Sequence, residues 1–327
     1  MTESSSPEII YIGFLKGEIT KEKAAELLVS LIERIEIAEI RVKSLATLKK
    51  IDFKKPKLYK VLENCLISDE NALVRSNAVE LLLSNYLDQS LNPIIWALEH
   101  DKSPLVIKAV FDHFETITSS KYNLIKKGLA DWLEQFSSLI GIRPLESIFF
   151  LDLEALFAKD KVNYEVSPQS YKHFKNIGDF KGVEPWILIK NEHVEIINFN
   201  YSYWKYIKEN IKRIKSLLKL NDLEIYLKTV NNYSLNMNIH ELPSSLGQLT
   251  SLKKLILKRN SLESLPYTIE KLTQLKQLDL SHNNFSKFPE IIGSLSSLEI
   301  LNLKHNKVQV IPEQLTDFLH SLKRFQM

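Results

Sequence analysis

The sequence has little of what several large classes of protein need. Its single cysteine, Cys65, allows no disulfide within the chain, so a reducing intracellular compartment is expected. The first eight residues are polar and acidic and lack the apolar segment of a secretory signal. The longest apolar runs, such as residues 148–151, are far too short to span a bilayer. We therefore predict a cytoplasmic protein.

The sequence motifs of catalysis are also missing. Neither phosphate-binding glycine pattern, G-x-G-x-x-G or G-x-x-x-x-G-K-[ST], occurs, which argues against a GTPase or a kinase. No two histidines are one helical turn apart, and there is no cysteine cluster for a metal. Cys65 falls on the apolar face of a predicted helix, where a buried thiol is expected rather than a nucleophile. The prediction is a non-enzyme with no catalytic residue, cofactor, metal site or small-molecule substrate.

The composition is that of a folded protein. At 327 residues the chain is long enough for two domains, or for one domain and a repeat array. Its 44% hydrophobic and 25% charged residues are typical of a globular chain, and eight glycines and eleven prolines argue against long linkers. A net charge of +3 is too small to indicate a polyanion partner.

Residues 1–165 have the periodicity of short amphipathic helices joined by polar turns. Ser6 and Thr20 are expected to cap the first two helices. Further helices are predicted over residues 37–51, 57–68, 70–86, 93–100, 104–117, 122–136 and 144–159.

This helical region also repeats itself. Residues 68–74 align without a gap on residues 100–106. Within this unit Asp69 is expected to cap the second helix, because a carboxylate suits a helix N-terminus. The pattern resembles HEAT-like repeats, which implies an all-α superhelix of paired antiparallel helices. An irregular helical bundle remains the alternative.

Residues 166–190 are punctuated by glycine and proline and are rich in aromatic side chains. We predict a packed junction here, between the helical region and a second array.

The second array shows a strict period of 23 residues. Two leucine columns, an asparagine column and a proline column keep this step in phase. Their members are Leu255, Leu278 and Leu301; Leu257, Leu280 and Leu303; Asn260, Asn283 and Asn306; and Pro243, Pro266, Pro289 and Pro312.

Each residue type at this spacing has a physical reason. Leucines two apart point to one side of a short strand, and stacked units pair these strands into a parallel sheet. The asparagine amides are expected to satisfy buried backbone groups of neighbouring units. The prolines are expected to fix the turn away from the sheet, where no ladder hydrogen bond is lost.

Residues 239–327 resemble leucine-rich repeats of the 23-residue kind found in intracellular Ras-associated and signalling-scaffold proteins, with a degenerate extension over residues 191–238. The resemblance implies a horseshoe with a short parallel sheet whose concave face binds proteins, such as a small GTPase or a signalling enzyme. The predicted fold is thus an α+β repeat solenoid with domains 1–165 and 191–327.

The strand residues that point away from the core should line the concave face and bind the partner protein. If binding is done elsewhere, they are only the solvated side of a sheet. They are Asn198, Asn200, Asp222, Glu224, Tyr226, Lys254, Ile256, Lys258, Gln277, Asp279, Ser281, Ile300, Asn302, Lys304, Arg324 and Gln326.

A predicted helix over residues 203–220 is strongly basic and flanked by aromatic residues. It could bind nucleic acid or an anionic membrane surface, or it could be an ordinary convex-side helix with its lysines in water. Its cations are Lys205, Lys208, Lys212, Arg213, Lys215 and Lys219.

Overall fold

A computed structural model describes residues 6–158, 187–200 and 239–327 of the chain. Residues 6–132 belong to one compact unit, and residues 133–157, 187–200 and 239–327 belong to a second. The domain boundaries predicted from sequence stay predictions, since residue 165 lies outside the described ranges.

The described N-terminal residues are helical, as predicted. Ser6 and Thr20 cap the first two helices by accepting backbone hydrogen bonds at 3.3 and 3.2 Å. The helices are α1 (Pro7–Leu15), α2 (Lys21–Arg34), α3 (Ala38–Ile51), α4 (Pro56–Ser68), α5 (Ala72–Tyr86), α6 (Leu91–His100), α7 (Pro104–Phe114), α8 (Asn123–Ile140) and α9 (Pro144–Ala158).

The first unit is held together by the apolar faces of helices α1 to α7. Leu28 on α2 and Leu45 and Leu48 on α3 have no exposed surface. Removing a leucine side chain from water stabilises the fold by about 2 kcal/mol. The periodic leucines of the sequence therefore supply the core that the helix pairs share.

An arginine–aspartate ladder links successive helix pairs of this unit. Arg41 on α3 donates two hydrogen bonds of 2.8 Å to Asp69, and Arg75 on α5 donates two to Asp101, at 2.7 and 3.0 Å. Each arginine also donates to two backbone carbonyls just before its own helix. Because the first ion pair is about nine-tenths buried, both of its charges need these partners.

The prediction that Asp69 caps α5 is wrong. The cap is Asn71, whose side-chain oxygen accepts from the N–H groups of Leu73 and Val74 at 3.0 and 3.3 Å. The Asp69 carboxylate is engaged by Arg41 instead, and it accepts from the Asn71 N–H at 2.9 Å.

The second unit contains one six-stranded sheet with its strands in chain order. The first two strands are antiparallel and the remaining neighbours are parallel. The strands are β1 (Ile187–Lys190), β2 (His193–Asn198), β3 (Lys254–Ile256), β4 (Gln277–Asp279), β5 (Ile300–Asn302) and β6 (Arg324–Gln326).

Strand β1 was not predicted. It forms a hairpin with β2 through Asn191 and Glu192, whose φ angles are 49° and 64°. Two consecutive residues with positive φ make the tight turn that suits the twist of a two-strand ribbon. The sheet thus begins with a hairpin rather than with a repeat unit.

The period-23 leucines pair in register, as predicted. Leu255, Leu278 and Leu301 are Cα partners on β3, β4 and β5, and all three are buried. Ile197 on β2 pairs with Leu255, so the degenerate extension contributes the strand next to the regular repeats.

The asparagine column forms the predicted hydrogen bonds to backbone groups of neighbouring units. Asn283 accepts from the Leu262 N–H at 3.0 Å and donates to the carbonyls of Leu257 and Leu280 at 2.9 Å. Asn260 and Asn306 repeat this pattern one unit to either side. Each amide therefore joins two neighbouring repeat units.

Every proline of the repeat precedes a 3₁₀ turn. The turns are Ser244–Gln248, Tyr267–Lys271, Glu290–Ser294 and Glu313–Leu315. In each, the proline carbonyl accepts a hydrogen bond from the third residue after it, at 3.0 to 3.1 Å. The missing N–H of proline costs nothing there, as expected.

The last repeat unit is one residue longer than the two regular units before it. Ile300 pairs with Arg324, 24 positions later, whereas Gln277 pairs with Ile300 after 23. The additional residue is accommodated by a short helix, α10 (Thr316–Ser321), which follows the 3₁₀ turn in this unit. The register of the sheet is unchanged.

Helix α9 contributes a buried carboxylate to the second unit. Glu146 is 3% exposed and accepts from the Val194 N–H at 2.8 Å, and its other oxygen lies 2.6 Å from His193 Nδ1. The start of β2 is thereby fixed against α9. Within the described ranges, no helix combines the length and the apolarity needed to cross a bilayer.

Candidate interaction surface

The register of the sheet gathers most of the predicted partner-binding residues on one surface. Two columns alternate with the buried leucines, and we call them together the polar sheet face. One column is Ile196, Lys254, Gln277, Ile300 and Arg324; the other is Asn198, Ile256, Asp279, Asn302 and Gln326.

The members of this face differ in exposure. Arg324 is exposed, and Lys254, Gln277, Ile300 and Asn302 are half-buried. Asn198 and Ile256, by contrast, are only 4% and 6% exposed. Their side chains offer a partner little surface.

Past the strands the same column continues with Asn200, Lys258, Ser281 and Lys304. Lys304 is exposed, Asn200 and Lys258 are half-buried, and Ser281 is buried. Ser281 donates from its N–H and its hydroxyl to Asp279 Oδ1, at 2.9 and 2.6 Å.

Other predicted residues lie outside the described ranges. They are Asp222, Glu224 and Tyr226 of the predicted face, and Lys205, Lys208, Lys212, Arg213, Lys215 and Lys219 of the basic helix. Nucleic-acid or membrane binding through that helix stays a prediction. It is tested by the salt dependence of binding in Lys212→Glu/Lys215→Glu.

The residues level with Lys253, at the end of the sheet where β3 to β6 begin, form a column of paired charges. Lys253 contacts Glu195 at 2.5 Å, and Glu299 lies between Lys276 at 3.8 Å and Lys323 at 2.7 Å. The bracketing lysines hold the pKa of the Glu299 carboxyl below its usual range, the hydrogen bond from Lys323 being the largest cause. The charges at this end of the sheet largely cancel one another.

The residues just after the strands carry charge of one sign. We call this group the cationic edge; it consists of Lys258, Arg259, His282, Lys304 and His305. In the part of the chain that the structure describes, none of these five makes an ion pair with a carboxylate.

The geometry of the edge is set by backbone hydrogen bonds between neighbouring units. The Arg259 N–H donates to the Ser281 carbonyl at 2.9 Å, and the His282 N–H donates to the Lys304 carbonyl at 2.8 Å. The imidazole rings of His282 and His305 stack with centroids 4.1 Å apart and planes 24° from parallel.

The three residues of the edge that precede the asparagines have a left-handed backbone. The φ angles of Arg259, His282 and His305 are 61°, 57° and 59°. Histidine is enriched in this conformation, whereas arginine is unusual there.

The pKa of His282 is lowered, first by burial and then by the charges of His305, Arg259 and Lys258; the Asp279 carboxylate opposes them. The neutral imidazole is therefore favoured near neutral pH in the free protein.

Sequence reasoning missed Arg259, His282 and His305. The signal was present, because these residues keep the 23-residue step and immediately precede the asparagine column. Strand alternation alone did not reveal it, since the three positions lie beyond the strand ends.

One thiol lies among the described residues away from the sheet. Cys65 is buried, and burial raises the pKa of its thiol to about 12. In the described portion, no cluster of three or more histidine, cysteine, aspartate or glutamate side chains could hold a metal ion.

Comparison with known proteins places the C-terminal region. Residues 194–327 match the family model described as a leucine-rich repeat region. A solved Leptospira interrogans leucine-rich repeat protein is 35% identical, over 27% of this chain and 24% of its own, with a TM-score of 0.24. This chain thus matches only about a quarter of that protein's length. No curated protein matches significantly.

Residues 194–327 are therefore similar to leucine-rich repeats, a class of domain that generally binds protein partners.

Proposed function

We propose that this protein is a non-catalytic cytoplasmic scaffold whose polar sheet face binds a partner protein. The observation that carries the proposal is the strict alignment of the five parallel strands, which brings side chains from far apart in sequence onto one pre-formed surface. A surface held by backbone hydrogen bonds loses little conformational entropy when a partner docks.

The chemistry of the face suits a protein partner. Ile300 supplies apolar surface, Gln277 and Asn302 supply amides, and Lys254 and Arg324 supply charge. Protein interfaces outside obligate complexes have this mixed composition, with arginine enriched. By analogy with proteins of the fold that this chain resembles, the partner is a small GTPase or a signalling enzyme.

We further propose that the helical region is a HEAT-like array, which with the leucine-rich repeats makes a two-part solenoid. The repeated arginine–aspartate ladder supports this, because Arg41–Asp69 and Arg75–Asp101 join successive helix pairs in the same way. Such nearest-neighbour contacts are what stabilise repeat arrays.

The proposal is tested with a variant that blocks the face sterically and leaves its charge unchanged. Gln277 and Ile300 are half-buried neighbours on β4 and β5, so Gln277→Tyr/Ile300→Tyr adds bulk with residues that strands favour. Thr273 and Ser296 are exposed and also 23 apart, so Thr273→Tyr/Ser296→Tyr is the matched control.

Both variants and the wild type are used to capture proteins from the native source. The sheet-face variant should lose partners that the control keeps, while both retain the far-ultraviolet circular dichroism of the wild type. If all three forms retain the same partners, binding does not use this face.

A further inference from the structure

We propose that the cationic edge docks a carboxylate-rich segment of the protein partner, an inference that rests on the protein-binding role of the adjoining polar sheet face. The edge is defined above by Lys258, Arg259, His282, Lys304 and His305.

The first argument is the contrast between the two ends of the sheet. At the end of the sheet where the strands begin, Glu195 pairs with Lys253, and Glu299 pairs with Lys276 and Lys323. After the strands the same repeat units place lysine, arginine and histidine together without a carboxylate ion pair among the described residues. Like charges that are held close together slightly destabilise the free protein. An anion bound there would be attracted by all of them at once.

The second argument is the size of the edge. The three repeat units that carry it are joined by strand-type hydrogen bonds, so neighbouring units are about 4.8 Å apart. Across three units the edge is about 10 Å long, which is the length of about three extended residues. The edge thus fits a short acidic stretch of polypeptide.

The third argument favours an acidic protein segment over a nucleic acid as the ligand. The Asp279 carboxylate lies on the same face, two residues before Ser281, and would repel a continuous phosphate chain. Next to it are Ile300 and Asn302, which can contact the apolar and amide groups of a polypeptide. A peptide that places carboxylates only at the edge avoids the repulsion.

The stacked histidines make the docking dependent on pH. His282 faces His305, Arg259 and Lys258, with Asp279 as the opposing charge. A carboxylate ligand stabilises the imidazolium of His282, so protonation of that ring accompanies binding, and affinity rises as pH falls below neutrality.

The probe is a fluorescein-labelled octaglutamate peptide, with octaglutamine and an eight-nucleotide oligothymidylate for comparison. Fluorescence anisotropy is measured on the full chain at low salt, because screening weakens exposed charges. Between pH 7.5 and 6.0 the octaglutamate stays ionised, and its affinity should rise roughly fivefold, while octaglutamine should not bind.

Two variants assign the binding to the edge. Lys258→Glu/Lys304→Glu should weaken octaglutamate binding roughly tenfold or more, whereas the charge-matched Lys271→Glu/Lys287→Glu, at exposed positions off the strands, should not. His282→Asn/His305→Asn should remove the pH dependence, because asparagine tolerates the left-handed backbone and does not titrate.

The capture experiment distinguishes this inference from the proposed function. If Lys258→Glu/Lys304→Glu keeps the partners that Gln277→Tyr/Ile300→Tyr loses, the edge proposal fails and the sheet-face proposal stands. If neither variant loses a partner, the proposed function fails. Absence of octaglutamate binding, or tighter binding of oligothymidylate that depends on the edge, overturns the inference.

Discussion

The asparagine column gives the sharpest test of how the repeat units are held together. In Asn283→Ala the Leu262 N–H loses the acceptor that the structure shows for it, Asn283 Oδ1 at 3.0 Å. The carbonyls of Leu257 and Leu280 each lose one bond of 2.9 Å but keep another, from Asn260 and from the asparagine of the next unit. The damage is therefore concentrated on one buried donor.

The loss of stability can be estimated from these lost hydrogen bonds. An orphaned buried N–H costs about 1–3 kcal/mol, and each lost bond to a still-satisfied carbonyl costs about 0.5–1 kcal/mol. Asn283→Ala should therefore destabilise the repeat region by about 3 kcal/mol, a large part of the stability of an ordinary domain. The matched control is Asn284→Ala, since that half-buried side chain makes no hydrogen bond within the described residues.

Native-state hydrogen exchange, read by mass spectrometry on peptides covering residues 254–303, measures the effect where it arises. About 3 kcal/mol corresponds to exchange roughly a hundredfold faster for the most protected amides, with little change in the control. Equal exchange in the two variants would refute the view that the amide holds neighbouring units together.

Three further variants test other contacts. Arg41→Ala should destabilise the first unit by about 3 kcal/mol in urea unfolding, because it leaves a buried carboxylate unpaired, while exposed Lys43→Ala should show no resolvable change. Gly247→Ala should lower the melting temperature, because its Cβ would lie 2.7 Å from the Thr268 carbonyl oxygen, and an unchanged value would count against that close approach. Cys65 should react with a thiol reagent at pH 8 roughly a thousandfold more slowly in the native than in the unfolded protein, since burial raises its pKa from 9.0 to about 12; fast native labelling would contradict that burial.

The sheet could be predicted because the residues that define it repeat at a fixed interval in the sequence. Leucines two residues apart define a strand, and the 23-residue step aligns each strand with the next, so the pairing of Leu255 with Leu278 and Leu301 needed no long-range knowledge. The asparagine bonds followed in the same way, since buried backbone groups at the turn must find partners.

The predictions that were wrong or missing concerned residues whose role is set by partners distant in sequence. Asp69 and Asn71 are both good helix caps by local pattern, and the choice between them depends on Arg41, 28 positions earlier. Strand β1 was not predicted because its turn is formed by Asn191 and Glu192 and contains no glycine to mark it in the sequence.

Exposure was the least predictable property of the candidate surface. Alternation shows which way Asn198, Ile256 and Ser281 point, but their burial depends on the units packed around them. The same is true of the cationic edge, whose character comes from the lack of carboxylate ion pairs within the described ranges as much as from the residues present.

The long final repeat unit has a consequence for how such a surface can change. Its additional residue is accommodated by α10, and Ile300 and Arg324 still pair as the register requires. The length of the connecting segment and the spacing of the strands are thus independent variables. Insertions in the connecting segments can therefore change the helical side alone. The spacing between strands, and with it the pattern of side chains on the sheet, stays the same.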